Sequence, residues 1–128
     1  MSQTQSTDEG DTTRTLRQTP VSLFRFSALT FNPHKIHYSV PWARDVEGHP
    51  DLVVHGPLNL IGILDLWRDV VHSGRGDVLP ESITYRATSP VYVEEEYRIV
   101  LKGGDVRVVK GGAGDKGDDV LVMKAEIR

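Results

Sequence analysis

The stretch GPLNLIGILDLWRDVVHSG, residues 56–74, constrains the fold more than any other part of the chain. A proline near its start and a Ser-Gly pair at its end predict a helix at about 57–72. Apolar residues cover most of its circumference, and a helix that is apolar on nearly all sides is a buried one. Gly62 lies in its middle at a cost of about 1 kcal/mol relative to alanine, which indicates close packing there. The rest of the chain must therefore wrap around this helix.

The segments after this helix have the alternating pattern of strands. They are ESITYRATSPVYV, EEYRIVLKG, DVRVVKGG and VLVMKAEIR, separated by turn glycines, with a Gly/Asp-rich loop at 111–119 before the last of them. A further strand before the helix, in TRTLRQT, brings the total to about five. The pattern predicts an α+β layout, in which a long central helix is wrapped by a curved antiparallel sheet.

A second, short buried helix is predicted in VSLFRFSALTFN. Thr19 and Pro20 provide a cap and a first-turn proline, and Asn32-Pro33 ends the helix. Val21, Phe24, Ala28 and Phe31 fall at helical spacing, and Leu23, Phe26 and Leu29 also suit a short buried helix. The loop FNPHKIHYSVP then leads into WARDVEG, a turn or two of helix that ends at Gly48.

Composition limits the classes of function. The 128 residues are enough for one core, so we expect a disordered tail at 1–10 and a single domain at 11–128. A net charge of -3 argues against a nucleic-acid partner. No run of about 18 apolar residues predicts a membrane span. The chain has no cysteine and no apolar leader, so the cytoplasm is the expected location.

The segment FNPHKIHY, residues 31–38, places two histidines three residues apart. A zinc site would need further ligands of the usual kind, and neither a cysteine nor a carboxylate lies between them; we expect no metal and no cofactor. Imidazole titrates near neutrality, so His37 is the candidate general base. Asn32 is the candidate group that orients a water or a hydroxyl, and His34 is a candidate acid. The alternative is that both histidines only satisfy loop carbonyls.

The segment VVHGPLNL marks the start of the central helix. The first amides of a helix lack partners and carry the positive end of its dipole, so they can polarise a carbonyl. Gly56 lets a ligand approach the backbone. We therefore expect Gly56, His55 and Tyr38 to contact substrate, with His55 alternatively supporting the site from behind.

Taken together, LFRFSALTFNPHKIHYSVPWARDVEGHPDLVVHGPL resembles the hydroxyacyl-thioester dehydratase type 2 and mesaconyl-CoA hydratase group of the MaoC-like hydratases. SALTFN.H.IHY and DLVVHGPL carry the resemblance, which is strong over residues 21–58 and weak in the tail and the last two strands. It implies a hotdog fold and a hydro-lyase that adds or removes water at the β-position of an acyl thioester, with acyl-CoA as a candidate substrate. Since related sites lie between two hotdog units, it also implies a homodimer.

The chain departs from the broader family in one respect. The hallmark loop there is Asp-x-Asn-Pro-x-His, and a register that aligns His37 with the histidine puts Asn32 on the aspartate. A second register aligns Asn32-Pro33 with the hallmark Asn-Pro and puts Thr30 on the aspartate. In both registers the carboxylate is absent.

Three other functions stay open. The chain lacks a basic cluster for the phosphates of coenzyme A, which favours a tailoring dehydratase or cyclase acting on a free small molecule. A non-catalytic hotdog binding module is the second possibility. A thioesterase using Asp65 on the central helix is the third.

Overall fold

The structure is a computed structural model that describes residues 3–6, 11–71, 79–111 and 120–128, with only the backbone described at 3–6. Helices α1, α2 and α3 span Pro20–Leu29, Val40–Asp45 and Gly56–Val71, and a 3-10 turn spans Lys35–His37. Strands β1 to β6 are Gln3–Ser6, Thr12–Arg17, Ile83–Ala87, Glu96–Lys102, Asp105–Lys110 and Val120–Ile127.

The six strands form one antiparallel sheet in the order β1-β2-β4-β5-β6-β3. Alternate residues of β4, β5 and β6 point into the core, as their burial pattern shows. Ile63, Leu66 and Trp67 of α3 belong to the same buried cluster. The predicted α+β hotdog arrangement, a long central helix against an antiparallel sheet, is confirmed, and the sheet has one strand more than the five expected.

The close approach expected at Gly62 is confirmed. A Cβ placed there would lie 3.2 Å from Cδ1 of Ile99 and 3.5 Å from Cδ1 of Leu16. The helix is not buried on all sides, however, because Ile61 is 53% exposed. Its buried positions also include a polar side chain, Asn59, which is 3% exposed. The pattern of α3 predicted its start to within one residue but did not reveal that a polar side chain faces inwards and an apolar one outwards.

The second helix is α1, with the cap expected: Oγ1 of Thr19 accepts from N of Ser22, and Pro20 is its first residue. Its buried face agrees with the prediction only in part. Leu23 is buried and Phe26 is half-buried, as the second apolar set predicts, but the other buried side chain is the polar Ser27, and Val21, Phe24 and Phe31 are exposed. A spacing of three and four residues fits several faces of a short helix, and packing selected the face that carries Leu23 and Ser27.

The amino-terminal segment also differs from expectation. Within 1–10, predicted to be a disordered tail, Gln3–Ser6 forms β1 and pairs with Thr12–Arg17. Strand β2 therefore lies between β1 and β4 rather than at the edge of the sheet. The remaining residues of this segment, 1–2 and 7–10, lie outside the described part of the chain, as do 72–78 and 112–119, which contain the end of the predicted central helix and most of the predicted Gly/Asp loop.

Candidate active site

The loop between α1 and α2 places His37 inside the protein. Phe31, two residues after the end of α1, is in the left-handed region (φ 52°), and the amide of Asn32 then donates to the carbonyl of Ser27 over 2.9 Å. The 3-10 turn that follows buries His37 at its last position, with the side chain only 8% exposed. The candidate base thus sits on a turn that is tied back to helix α1.

The protonation of the His37 ring follows from its neighbour. Nδ1 of His37 lies 2.6 Å from the carbonyl oxygen of Val53. Because a carbonyl can only accept, Nδ1 carries the hydrogen and Nε2 of the neutral ring carries the lone pair. Val53 precedes the first residue of α3 by three positions, so this bond also ties the histidine loop to the start of the central helix.

His55 packs directly against His37. The two ring centroids are 3.6 Å apart with 16° between the planes, and Phe26 meets the His55 ring edge-on at 4.8 Å. Nε2 of His55 lies 2.8 Å from Oγ of Ser27, a buried hydroxyl on α1. His55 therefore links α1, the histidine loop and the start of α3.

Both buried imidazoles favour the neutral form. Burial is the main reason that the pKa of His37 is lowered; the Val53 carbonyl acts in the opposite direction and His34 adds to the lowering. Burial, and then the proximity of His37, lowers the pKa of His55 to about 4. At neutral pH both rings are therefore uncharged, as a general base must be before it takes a proton.

Asn32 and His34 support the loop. Oδ1 of Asn32 accepts from the amide of His34 over 3.1 Å, and Nδ1 of His34 accepts from the amide of Ile36 over 3.3 Å. Since Nδ1 of His34 is an acceptor, Nε2 of the neutral ring carries its hydrogen. The exposed His34 ring lies 5.9 Å from the His37 ring, centroid to centroid. The three predicted catalytic side chains thus lie in one loop, and hydrogen bonds of Asn32 and His34 hold the shape of that loop.

The start of α3 opens into a cleft of about 270 Å³. Gly56 and Asn59 line one side of it, and Thr88 and Ser89 line another. Oδ1 of Asn59 is buried and has no hydrogen-bond partner among the described residues, and the same is true of Nδ1 of His55. The predicted polarising position, Gly56, therefore faces a cavity that also holds an unpaired polar atom.

The predicted contact residue Tyr38 lies elsewhere. Its hydroxyl donates to the carbonyl of Pro33 over 3.0 Å, and its ring lines a different groove, together with Trp42. Asp65, the candidate of the thioesterase alternative, is held by Arg14 and Arg68 on an exposed part of α3.

Sequence reasoning missed two residues of the site, Ser27 and Asn59. Both are polar side chains inside helices whose other inward positions are apolar, and a buried polar residue normally has a partner to find. A polar residue at an otherwise apolar, inward-facing helix position was therefore the sequence signal that could have identified both residues.

Neither a metal cluster nor a membrane helix is found in the part of the chain that the structure describes. No three His, Cys, Asp or Glu side chains there converge as a metal site would require. Likewise, none of the described helices combines the length and apolarity needed to cross a bilayer.

An antiparallel sheet packed against one central helix is the hotdog arrangement that the sequence predicts. The sequence profile of the family "Hydroxyacyl-thioester dehydratase type 2" matches residues 1–93. The chain belongs to this family.

Individual relatives agree with that assignment. Mesaconyl-C(4)-CoA hydratase of Chloroflexus aurantiacus is 37% identical over 115 residues, 90% of this chain and 39% of the relative. The mitochondrial hydroxyacyl-thioester dehydratase type 2 of Schizosaccharomyces pombe is 35% identical over 83 residues, 65% of this chain and 27% of the relative. The chain thus spans well under half the length of either relative.

A solved structure supports the fold. The (R)-hydratase of A. caviae involved in PHA biosynthesis superposes with a TM-score of 0.66 at 17% identity, over 91% of this chain and 90% of the other. At that identity the likeness establishes the hotdog fold of the chain.

Proposed function

We propose that the chain is a hydratase or dehydratase that adds or removes water at the β-position of an acyl thioester, with His37 as the general base. One observation carries the proposal: the bond from Nδ1 of His37 to the carbonyl of Val53 leaves a basic Nε2 on a buried, neutral ring next to the start of α3. Membership of the dehydratase family supports the same reaction.

In the dehydration direction, the amide of Gly56 donates to the thioester carbonyl and stabilises the negative charge that develops on its oxygen. One such donor contributes on the order of 3–4 kcal/mol in the transition state. Nε2 of His37 removes the α-proton, the α,β double bond forms, and the bond from the β-carbon to oxygen breaks. The imidazolium of His37 then gives this proton to the leaving hydroxyl, which departs as water, and hydration is the reverse.

The other predicted residues have supporting roles in this proposal. His34 is the candidate second acid because its ring lies beside His37; it would act as an imidazolium, in which Nδ1 no longer accepts from the amide of Ile36. Asn32 orients the loop through the amide of His34, and the remaining capacity of its side-chain amide is available to water or hydroxyl. His55 stacks on the His37 ring and holds its orientation. Tyr38 lines a separate groove, so for this residue the proposal is contact with a part of the substrate that lies outside the cleft.

We also propose that the active form is a homodimer built at strand β3. This strand lies at the end of the sheet order, and its residues 84–87 are all exposed. An exposed edge strand of this kind presents unpaired backbone groups to another strand. Two copies related by a two-fold axis would pair β3 with β3 and join the two sheets. The cytoplasm, favoured by an acidic and cysteine-free chain, remains the proposed location.

The proposed activity is tested by following enoyl absorbance with crotonyl-CoA and 3-hydroxybutyryl-CoA. Wild-type turnover that His37→Ala abolishes, with an unchanged circular dichroism spectrum, would support a thioester hydratase. A wild type that binds acyl-CoA without turnover would indicate the binding module. A wild type that neither binds nor converts acyl-CoA would contradict the thioester substrate and favour the free-acid tailoring alternative.

A further inference from the structure

The cleft at the start of α3 contains a polar side chain that the fold does not use. Asn59 is 3% exposed, and its Oδ1 is buried without a hydrogen-bond partner among the described residues. Leaving a buried acceptor unpaired destabilises a folded protein, and native proteins rarely do so without a functional reason. Asn59 therefore has a place in the site that folding alone does not explain.

The surroundings of Asn59 define what it can bind. Several cleft residues are apolar, namely Val54, Val91, Val122 and Met123. The hydroxyl of Thr88 is already used, because it donates to the carbonyl of Leu121 over 2.7 Å. The cleft volume, about nine times the roughly 30 Å³ occupied by one water, suits a short acyl group rather than a nucleotide.

The chemistry of the ligand group follows from the unpaired atom. Oδ1 of Asn59 needs a donor, so a carboxylate in the cleft would not satisfy it. A cationic donor would enter a cleft whose lining has no carboxylate to pair with it. A neutral hydroxyl can donate to Oδ1 of Asn59 and brings no charge into the cleft.

His55 lies one helical turn before Asn59, and the amide of Asn59 donates to its carbonyl over 3.3 Å. His55 is not among the residues that line the cleft. The assignment of the ligand group therefore rests on Asn59.

We propose that Asn59 is a substrate-binding residue whose Oδ1 accepts a hydrogen bond from the β-hydroxyl of a short hydroxyacyl thioester. The assignment rests on the proposed function, since it places the acyl group in the cleft and its carbonyl at Gly56. It gives the enzyme a preference for the hydroxylated acyl group over the saturated one.

The test compares the binding of 3-hydroxybutyryl-CoA and butyryl-CoA by calorimetry. It is done in a His37→Gln background, in which the proposed chemistry cannot consume the ligand. We expect the hydroxylated ligand to bind about tenfold more tightly. Adding Asn59→Leu, which has a similar volume, should remove that preference, whereas Thr88→Val across the cleft should retain it.

A stability measurement separates this role from a structural one. Because Asn59→Leu removes an unpaired buried acceptor, it should raise the melting temperature, while a purely structural asparagine would give a lower one. Should the leucine variant not fold, Asn59→Ser, whose shorter side chain cannot reach the same point, is expected to lose the preference as well.

The outcomes distinguish the two proposals. If the wild type hydrates crotonyl-CoA but Asn59→Leu keeps the full preference for the hydroxylated ligand, the role of Asn59 is wrong and the proposed function stands. If the wild type neither converts crotonyl-CoA nor binds either thioester, the proposed function fails and the role of Asn59 fails with it.

Discussion

The rings of His37 and His55 are stacked face to face, with centroids 3.6 Å apart. Each is held at a different nitrogen by a different element: Nδ1 of His37 by the carbonyl of Val53, and Nε2 of His55 by Oγ of Ser27. Two positive charges at this separation in a buried site would repel strongly. The pair therefore accepts at most one proton readily, and the neutral His55 leaves that proton to His37.

Replacement of His37 should abolish activity without unfolding the chain. Loss of a general base typically costs about 10²–10⁴ in rate, so we expect that loss in kcat for His37→Ala. His49→Ala is the matched control, since His49 contacts Tyr92 and belongs to no part of the site. Equal activity in the two variants would contradict the assignment of the base.

The activity should depend on pH through His37. Because burial lowers the pKa of His37, the base remains available at pH values where a free imidazole is already protonated. We expect kcat/KM to fall on acidification with a midpoint below 6.5. A midpoint at or above 6.5 in a pH–rate profile would show that another group is titrating.

Stability should fall in acid because of His55. Its pKa is about 4 in the folded chain and about 6.5 in the unfolded chain. Between these values the unfolded state binds the proton and the folded state does not, so the free energy of unfolding decreases as pH falls from 6.5 to 4. We expect a loss on the order of 1–3 kcal/mol over this window, measured by urea denaturation. His55→Phe, which keeps a ring but does not titrate, should lose that part of the dependence.

Removal of the Ser27 hydroxyl, a hydrogen-bond partner of His55, should lower the free energy of unfolding. Ser27→Ala leaves Nε2 of His55 buried without its partner, at a cost of about 1–3 kcal/mol. Ser82→Ala, at an exposed position, should change stability by less than about 0.5 kcal/mol. If the two variants unfold at the same denaturant concentration, the Ser27–His55 bond contributes nothing to stability.

The proposed dimer should depend on the centre of β3. In an antiparallel pairing about the middle of this strand, Tyr85 of one copy faces Tyr85 of the other. Tyr85→Asp would place two carboxylates opposite each other, which destabilises a strand pair, so sedimentation should show a monomer. Val46→Asp, at an exposed apolar position on a distant loop, should leave the dimer intact. A dimer that persists in the Tyr85 variant would place the interface elsewhere.

The turn between β4 and β5 provides a test of the fold alone. A Cβ on Gly104 would lie 2.5 Å from the carbonyl oxygen of Ile127, so Gly104→Ala should cost about 2 kcal/mol or more. At Gly103 the positive φ of 60° alone disfavours alanine, by about 1–2 kcal/mol. Gly111→Ala meets nothing within 4 Å and is the control. Unchanged thermal midpoints in all three would contradict this turn geometry.

The positions of the central helix and of most strands could be predicted from the sequence alone, because the signals for them are local and strong. A helix start at a proline, an apolar run of four turns and alternating segments between glycines depend on few neighbours. The positions of α3 and of β3 to β6 were predicted on those grounds. The loop that carries His34 and His37 was also predicted, as was the start of the central helix beside Gly56.

Tertiary packing decided the features on which the site depends. It turned Ser27 and Asn59 inwards and Phe24 outwards, since the side of a helix that is buried depends on what packs against it. It also stacked His55 on His37, which are 18 positions apart in the chain. Sequence patterns determine periodicity and where an element begins and ends; only the folded neighbours decide which polar atoms are satisfied and which are left for a ligand.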